Sequence, residues 1–289
     1  MSHRLQGELR GGAVEGPRQK LHCGELGMEV DALAGGRIVS LSIGNIEMLT
    51  PASVHAENYG STFWDAPQVN WNWPPRAALD SEPYSVGLDN GVLTLESKVD
   101  PSGLQFVKQF RTDPTRGCFE IQYRIKNSGT NTLNVGPWEV TRVPGGLSFF
   151  PYEEVPGLPA TALQPVTRSE GICWYAFDAT FLNPGCKLFS GAKEGWLAHV
   201  GPERCLFVKT FQDTSPADYA PEQGEVEIWG HDGGIYIELE NHGPYRALEP
   251  SASLNYRVQW YLVRVPEHIT IKAENPELVS FVRTLIRGS

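Results

Sequence analysis

The sequence lacks any long apolar run and any cluster of basic residues. It contains no stretch of about 18 apolar residues, so no membrane-spanning helix is predicted. The formal net charge is −10, from 34 acidic and 24 basic residues, and the basic residues form no run, so we expect binding neither to nucleic acid nor to an anionic membrane surface. The N-terminus also lacks the apolar core of a secretory signal, so residues 1–20 are predicted to form a flexible lead.

Cysteine is scarce and forms no recognisable pattern. The five cysteines show no CxxC spacing, which argues against a zinc site and a disulfide framework and favours free thiols in a reducing cytoplasm. The seven histidines form no HxH or HExxH spacing, and there is no GxSxG, phosphate-binding or dinucleotide-binding motif. The sequence therefore predicts neither a metal ion nor a cofactor.

Strand signals dominate the chain between residues 26 and 265. In residues 117–127, apolar and polar side chains alternate with a period of two, which is typical of a sheet with one buried and one solvated face. Similar runs predict strands at residues 37–43, 91–99, 205–211, 224–229, 235–240 and 254–265. Many of the 30 glycines and 22 prolines lie in the connections. These features predict a single all-β, antiparallel domain over residues 21–289.

A single helix is predicted near the C-terminus, at residues 276–286. Asn275 is suited to the N-cap, Pro276 to the first helical position, and Gly288 follows the predicted end. The apolar side chains of this segment form a stripe. We therefore expect the helix to pack on the outside of a sheet.

Residues 58–75, which read NYGSTFWDAPQVNWNWPP, hold three tryptophans among amide side chains and prolines. If the segment is extended, Trp71 and Trp73 point the same way, and Trp64 lies a few residues earlier. Indole rings stack on the C–H face of a pyranose, while neighbouring amides bond its hydroxyl groups. The segment is predicted to form a wall of a sugar site; the alternative is a loop that buried indoles attach to the sandwich.

Two further segments place polar side chains at predicted strand ends. In residues 235–245 (IYIELENHGPY), Glu240 is the last strand residue before a turn, followed by Asn241 and His242, a set of groups that can read sugar hydroxyls. The alternative is a solvated strand end. In residues 134–146 (NVGPWEVTRVPGG), Trp138, Glu139 and Arg142 lie close together; either Arg142 pairs with Glu139, or its planar guanidinium faces a substrate anion.

These segments together resemble the DUF4380 family, which looks like a branch of the galactose mutarotase-like superfamily. The resemblance covers about residues 26–266 and rests on GGRIVSLSIGNIEML, NYGSTFW…WNWPP, GPWEVTRV and IELENHGPY…SLNYRVQWYLVRVP. It implies a large antiparallel β-supersandwich with a carbohydrate cleft across one face, and hence a small-molecule sugar as partner.

The resemblance also implies roles for individual residues. Glu240, within LENHGP, matches the glutamate that acts as base on the anomeric hydroxyl in aldose 1-epimerases. The two histidines of those enzymes are absent here, since the matching segments read Gly136-Pro137-Trp138 and Asn72-Trp73-Pro74. The acid role is then expected from His199, His242 or Glu139. The residues expected to hold the sugar are Trp64, Trp71, Trp73, Trp138, Glu139, Arg142 and Asn241.

Three functions are consistent with these residues. The first is an isomerase that interconverts sugar anomers with Glu240 as base. The second is a carbohydrate-binding protein without catalysis. The third is a hydrolase or lyase on a sugar or uronate that uses Glu240 and Glu139 as a carboxylate pair. The sequence also leaves open a homodimer formed through the long last strand or the outer helix.

Overall fold

The computed structural model describes residues 16–288, and most of its regular secondary structure is strand. The strands are β1 (Arg18–Cys23), β2 (Leu26–Asp31), β3 (Arg37–Ile43), β4 (Ile46–Glu47), β5 (Ser61–Ala66), β6 (Ser85–Asp89), β7 (Val92–Glu96), β8 (Leu104–Asp113), β9 (Cys118–Asn127), β10 (Leu133–Val143), β11 (Leu147–Glu153), β12 (Val166–Ser169), β13 (Ile172–Ala176), β14 (Lys187–Ala192), β15 (Trp196–Val200), β16 (Cys205–Phe211), β17 (Val226–Gly230), β18 (Ile237–His242), β19 (Arg246–Leu248) and β20 (Ser253–Arg264). The helices are α1 (Ala77–Asp80) and α2 (Pro276–Arg287), with short 3-10 turns at Gln68–Asn70, Ala179–Phe181, Pro202–Arg204 and Pro216–Asp218. The predicted all-β fold with a short C-terminal helix is confirmed.

The strands form two antiparallel sheets that pack face to face. The first sheet has the order β14-β17-β18-β10-β5-β3-β2-β1. The second has the order β6-β7-β8-β9-β20-β16-β15-β11-β13-β12. Their inner faces share one apolar core, in which Phe63 of the first sheet stacks on Tyr123 of the second with ring centroids 4.1 Å apart. This is the predicted sandwich of two layers.

Helix α2 covers the outer face of the second sheet. Its residues Leu278 and Val282 are fully buried and pack in one cluster with Trp174 and Trp196 of that sheet. The Asn275 side chain accepts a hydrogen bond of 3.0 Å from the Glu277 backbone N–H, as expected of an N-cap. The predicted position of the helix is therefore confirmed.

Several predicted boundaries differ from the structure. Residues 18–20 belong to β1 rather than to a flexible lead, because their backbones pair with β2; residues 1–15 lie outside the described range. Strand β18 does not end at Glu240 but continues to His242. Strand β10 pairs with it as far as His242, and β17 pairs with it as far as Asn241. Strand β20 lies inside the second sheet, where it pairs with β9 over residues 253–261 and with β16 over residues 258–264, so it is not an edge strand that a second chain could extend along its whole length.

The structure also bears on the cysteines and on membrane spans. All five cysteines are buried and none is in a disulfide. Within residues 16–288, no helix has the length and apolarity that crossing a membrane requires.

Candidate functional site

Five neighbouring strands of the first sheet carry the polar and aromatic side chains of the site on one face. Residues that lie opposite each other in antiparallel strands project to the same side. Lys187 is opposite Trp229, Trp229 is opposite Glu238, and Glu238 is opposite Arg142. The face turned away from the second sheet, here called the pocket face, is formed by Lys187, Phe189, Glu227, Trp229, Glu238, Glu240, His242, Trp138, Val140, Arg142, Thr62 and Trp64.

The four tryptophans predicted from the sequence meet in one cluster on this face. The ring of Trp64 lies 5.1 Å from that of Trp138, 5.7 Å from Trp71 and 6.1 Å from Trp73, centroid to centroid. The segment is not extended as expected, because Gln68–Asn70 form a 3-10 turn and Asn72 has a φ of 57°. Trp71 is therefore packed against Trp64 and Trp138, whereas Trp73 remains 54% exposed.

Three of these tryptophans, Trp64, Trp73 and Trp138, line a pocket of about 450 Å³ together with Trp229; it is here called the tryptophan pocket. This volume falls in the range of ordinary small-molecule sites. Its lining consists of Asn58, Trp64, Gln68, Trp73, Trp138, Gly185, Lys187, Phe189, Trp229 and Glu238. The aromatic side chains form the walls, and the charged groups that reach the pocket are Lys187 and Glu238.

Lys187 separates the tryptophan pocket from two buried carboxylates. Its Nζ lies 2.6 Å from Glu227 Oε2 and donates a hydrogen bond of 2.9 Å to Glu240 Oε2. The indole N–H of Trp138 donates a second bond, 2.7 Å long, to the same Glu240 oxygen. Glu227 and Glu240 are both 0% exposed. Glu240, predicted at an accessible sheet rim, thus lies behind Lys187, because β18 continues beyond it and has neighbours on both sides.

The surroundings of these groups set their protonation. Burial raises the pKa of Glu240 to about 8; the Lys187 charge opposes this rise, and the smaller effect of the Glu227 charge adds to it. Burial acts on Glu227 in the same direction, but the interactions with Lys187 and His242 together outweigh it and lower the pKa of Glu227 to about 2. Burial also lowers the pKa of His242, despite Glu227 at 3.6 Å. Of the two carboxyl groups, Glu240 therefore keeps its proton to a higher pH than Glu227, and the lowered pKa of His242 favours its neutral form.

Glu227, Glu240 and His242 could also serve as metal ligands, since their ligand atoms lie within 4.8 Å of one another. Carboxylate oxygens and imidazole nitrogens are common ligands of Zn²⁺. The ammonium group of Lys187, however, already lies in contact with both carboxylates. The cluster is therefore a compensated set of charges rather than an open coordination site.

Arg142 supports Glu238 at the edge of the pocket. It is 0% exposed, its Nε donates a hydrogen bond of 2.8 Å to Glu238 Oε1, and its Nη1 donates one of 2.8 Å to Thr62 Oγ1. The sequence suggested that Arg142 pairs with Glu139 or faces a substrate anion. Its acidic partner in the structure is Glu238 instead. Arg142 thus holds the carboxylate that lines the pocket.

Glu139 and Asn241, predicted to bind the sugar, lie on the opposite face of the sheet, inside the core. Glu139 lies 2.8 Å from Lys209 Nζ and accepts a hydrogen bond of 2.6 Å from the Tyr123 hydroxyl. Asn241 donates a hydrogen bond of 2.8 Å to the Tyr256 hydroxyl. Because Glu139 is next to Trp138 in the strand, its side chain projects away from the pocket face. Glu240 and Glu139 therefore do not flank one ligand, which removes the basis of the hydrolase or lyase hypothesis.

The two predicted histidines have different positions. His242 is on the pocket face and stacks on Trp138 with ring centroids 5.2 Å apart. His199 is in β15 of the second sheet, fully buried, with its Nδ1 2.9 Å from the Ser148 hydroxyl. Burial lowers the pKa of His199 to about 3, and it does not reach the tryptophan pocket.

Several residues of the site were not predicted from the sequence, and only some of them could have been. Glu227 and Trp229 are two residues apart in the predicted strand at residues 224–229, so the alternation of a strand would have predicted that they share a face. Lys187 begins a short strand in no recognisable motif, and nothing in the sequence connects it to Glu240. Its position depends on the pairing of β14 with β17.

Solved structures of other proteins have a similar fold. A galactose mutarotase-like protein from Lactobacillus casei matches with a TM-score of 0.60 at 9% identity, covering 85% of this chain and 100% of its own. A galactose mutarotase related enzyme from Lactobacillus acidophilus matches with a TM-score of 0.59 at 9% identity, over 88% and 99%. A proposed aldose 1-epimerase from Escherichia coli K12 matches with a TM-score of 0.56 at 13% identity, over 86% and 99%.

Sequence comparisons add no closer relative. No family model matches the chain, and no curated protein sequence matches it either. The resemblance to the DUF4380 family therefore stays a prediction. At these low identities the structural similarity concerns the fold alone, and on that basis the chain has a galactose mutarotase-like fold.

Proposed function

We propose that this protein binds a neutral sugar ring in the tryptophan pocket. The observation that carries the proposal is the combination of indole walls with two charged groups, Lys187 and Glu238, in one pocket. Indole faces stack on the C–H face of a pyranose, and the ammonium and carboxylate groups bond its hydroxyls. The fold agrees, since its structural neighbours include proteins described as galactose mutarotase-like.

The charge balance of the pocket favours a neutral ligand. Lys187 is the cation that lines the tryptophan pocket, and it is already in contact with Glu227 and Glu240. The nearby guanidinium of Arg142 is paired with Glu238. A phosphate or carboxylate on the sugar would bring another negative charge beside Glu238 without a free cation to balance it. We therefore expect aldoses to bind better than sugar phosphates or uronates.

A second candidate function is the interconversion of sugar anomers. The observation that favours it is the contact between pocket-lining Lys187 and Glu240, whose pKa is raised to about 8. Glu238 takes the proton of the anomeric hydroxyl while the bond between C1 and the ring oxygen breaks and an aldehyde forms. Lys187 gives a proton to the ring oxygen and regains one from the Glu240 carboxyl group. Rotation about C1–C2 and reversal of both transfers close the ring as the other anomer.

In this proposal Glu240 supplies the proton instead of acting as the base in contact with the sugar. The two carboxylates outweigh burial and raise the pKa of Lys187, so its ammonium would lose a proton only as Glu240 replaces it. A group with a pKa near the working pH is effective in such proton transfers. The predicted base, Glu240, thereby keeps a catalytic role through Lys187.

The test combines sugar binding with anomer exchange. Binding of aldoses is measured by thermal shift, and anomer exchange by NMR exchange spectroscopy, for the wild type and Glu240→Gln. We expect exchange to fall by about 10²- to 10⁴-fold in Glu240→Gln, with the thermal shift retained. Glu225→Gln is the matched control, because Glu225 is also fully buried but its carboxylate accepts hydrogen bonds from the Thr214 and Ala192 backbone instead of from Lys187.

The outcomes separate the two candidate functions. A sugar-dependent thermal shift without faster exchange in the wild type would leave a binding protein and remove the catalytic proposal. Equal exchange in the wild type and Glu240→Gln would contradict the role given to Glu240. If no aldose raises the melting temperature, the binding proposal itself is wrong.

A further inference from the structure

A second cavity adjoins the tryptophan pocket. It has a volume of about 400 Å³ and shares three lining residues with the tryptophan pocket, namely Asn58, Trp64 and Trp73. This cavity is called the outer compartment below. Because the two cavities share these lining residues, they lie side by side, and a ligand that extends past Trp73 would contact both.

Trp73 is the part of that shared wall which is open to solvent. Its side chain is 54% exposed, the largest exposed aromatic surface among the described tryptophans. Such a ring would be desolvated by a ligand that passes from one cavity to the other, and burial of apolar surface is favourable. Trp73 also forms a T-shaped pair with Trp64, which lines both cavities.

The outer compartment also contains a buried polar site. Arg37 is 5% exposed and lies over the ring of Tyr59, 4.4 Å from its centroid. Its terminal nitrogens donate hydrogen bonds of 2.6 Å to the Glu57 carbonyl and 3.3 Å to Asp80, whereas its Nε–H has no partner. An unpaired buried donor is costly. Because this Nε atom is shielded from solvent, a ligand oxygen would satisfy it only after a small shift of the Arg37 side chain, which lines the compartment. Since Asp80 balances the Arg37 charge, the chemistry suits a hydroxyl group rather than an anion.

We propose that the ligand is a neutral saccharide of at least two linked rings. The first ring occupies the tryptophan pocket beside Lys187 and Glu238, and the second stacks in the outer compartment near Trp73, Tyr59 and Arg37. This inference rests on the proposed function, because it specifies the size of the sugar bound at the same site. If the protein interconverts anomers, the reducing ring is the one in the tryptophan pocket.

The experiment compares neutral reducing disaccharides with their component monosaccharides. Maltose, cellobiose, lactose and melibiose are titrated calorimetrically against glucose and galactose. At least one disaccharide is expected to bind about tenfold or more tightly than either of its sugars, which one stacking contact together with one hydrogen bond is sufficient to provide. The wild-type protein is used throughout as the reference.

Two substitutions assign this gain to the outer compartment. Ser81 is exposed and lines that compartment but not the tryptophan pocket, so Ser81→Trp should remove the disaccharide advantage and leave monosaccharide affinity unchanged. Ser85→Trp is the control, because Ser85 is exposed and lines neither cavity.

Each result has a distinct meaning. Disaccharides that bind no better than monosaccharides, or an advantage that persists in Ser81→Trp, would overturn this inference while the single-ring proposal stands. If neither size of sugar binds, both proposals fail together.

Discussion

Replacing Lys187 by methionine should strongly destabilise the protein at neutral pH. Methionine keeps an unbranched chain of similar length but removes the cation that lies 2.6 Å from Glu227 and 2.9 Å from Glu240. Both carboxyl groups are fully buried and have no other cation at comparable distance among the described residues. The substitution would therefore leave a negative charge buried without compensation.

The expected loss can be worked out from Glu227. Its pKa falls from an ordinary 4.5 to about 2, and at about 1.4 kcal/mol per pH unit this corresponds to about 3 kcal/mol of stability. Because the folded-state pKa is lowered, this contribution is present above pH 4.5 and is lost as the pH falls towards 2. Removal of one partner from a buried ion pair generally costs about 3–5 kcal/mol, which agrees.

Urea unfolding of the wild type and Lys187→Met at pH 7 and pH 4 measures this loss. The difference in unfolding free energy should be about 3 kcal/mol at pH 7 and smaller at pH 4, where the unfolded state binds protons on its carboxylates. Adding Glu227→Gln to Lys187→Met should restore most of the stability, because no uncompensated charge remains. A loss below about 1 kcal/mol at pH 7, or no recovery in the double variant, would refute the reasoning.

Two further predictions separate the core from the site. Glu139→Gln leaves the Lys209 ammonium buried without a carboxylate, so it should lower the unfolding free energy by about 3–5 kcal/mol. Sugar affinity should not change. Reduced sugar affinity at unchanged stability would instead place Glu139 in the site. Leu278 lies on the face of α2 that packs on the second sheet, so Leu278→Ala should lower the unfolding free energy measured with urea by about 2–5 kcal/mol. The control Thr284→Ala, at an exposed position of the same helix, should change the unfolding free energy little. Equal effects of the two substitutions would mean that the packing of α2 does not stabilise the fold.

The fold could be predicted from the sequence because its signals are local. A period of two and the turn residues between the runs depend only on neighbouring side chains. Strands β3 and β16 were predicted at both ends, as was the start of α2, where the Asn275 cap and Pro276 mark the first turn. The end of β18 was missed because Asn241 is a poor strand former, and this end of the strand is held by pairing with β10.

The site could be predicted only in part, because it depends on pairing between strands. The tryptophans were recognisable by their density, and all four meet in the structure. Glu139 and Glu240 lie on opposite faces of the sheet because of the register between β10 and β18. No local feature of the sequence indicates this register. Lys187 is 53 residues from Glu240 in sequence, so their contact arises only when β14, β17 and β18 assemble.

The alternation along β10 has a consequence for how this protein can change. Positions 138, 140 and 142 face the pocket, whereas positions 139, 141 and 143 face the core, and in β18 positions 238, 240 and 242 likewise belong to the pocket face. Neighbours in sequence thus have different surroundings, one on the pocket face and the next in the core. A directed-evolution library at positions 138 and 238, which line the tryptophan pocket, would explore new ligand preferences while leaving every core-facing side chain of these two strands unchanged.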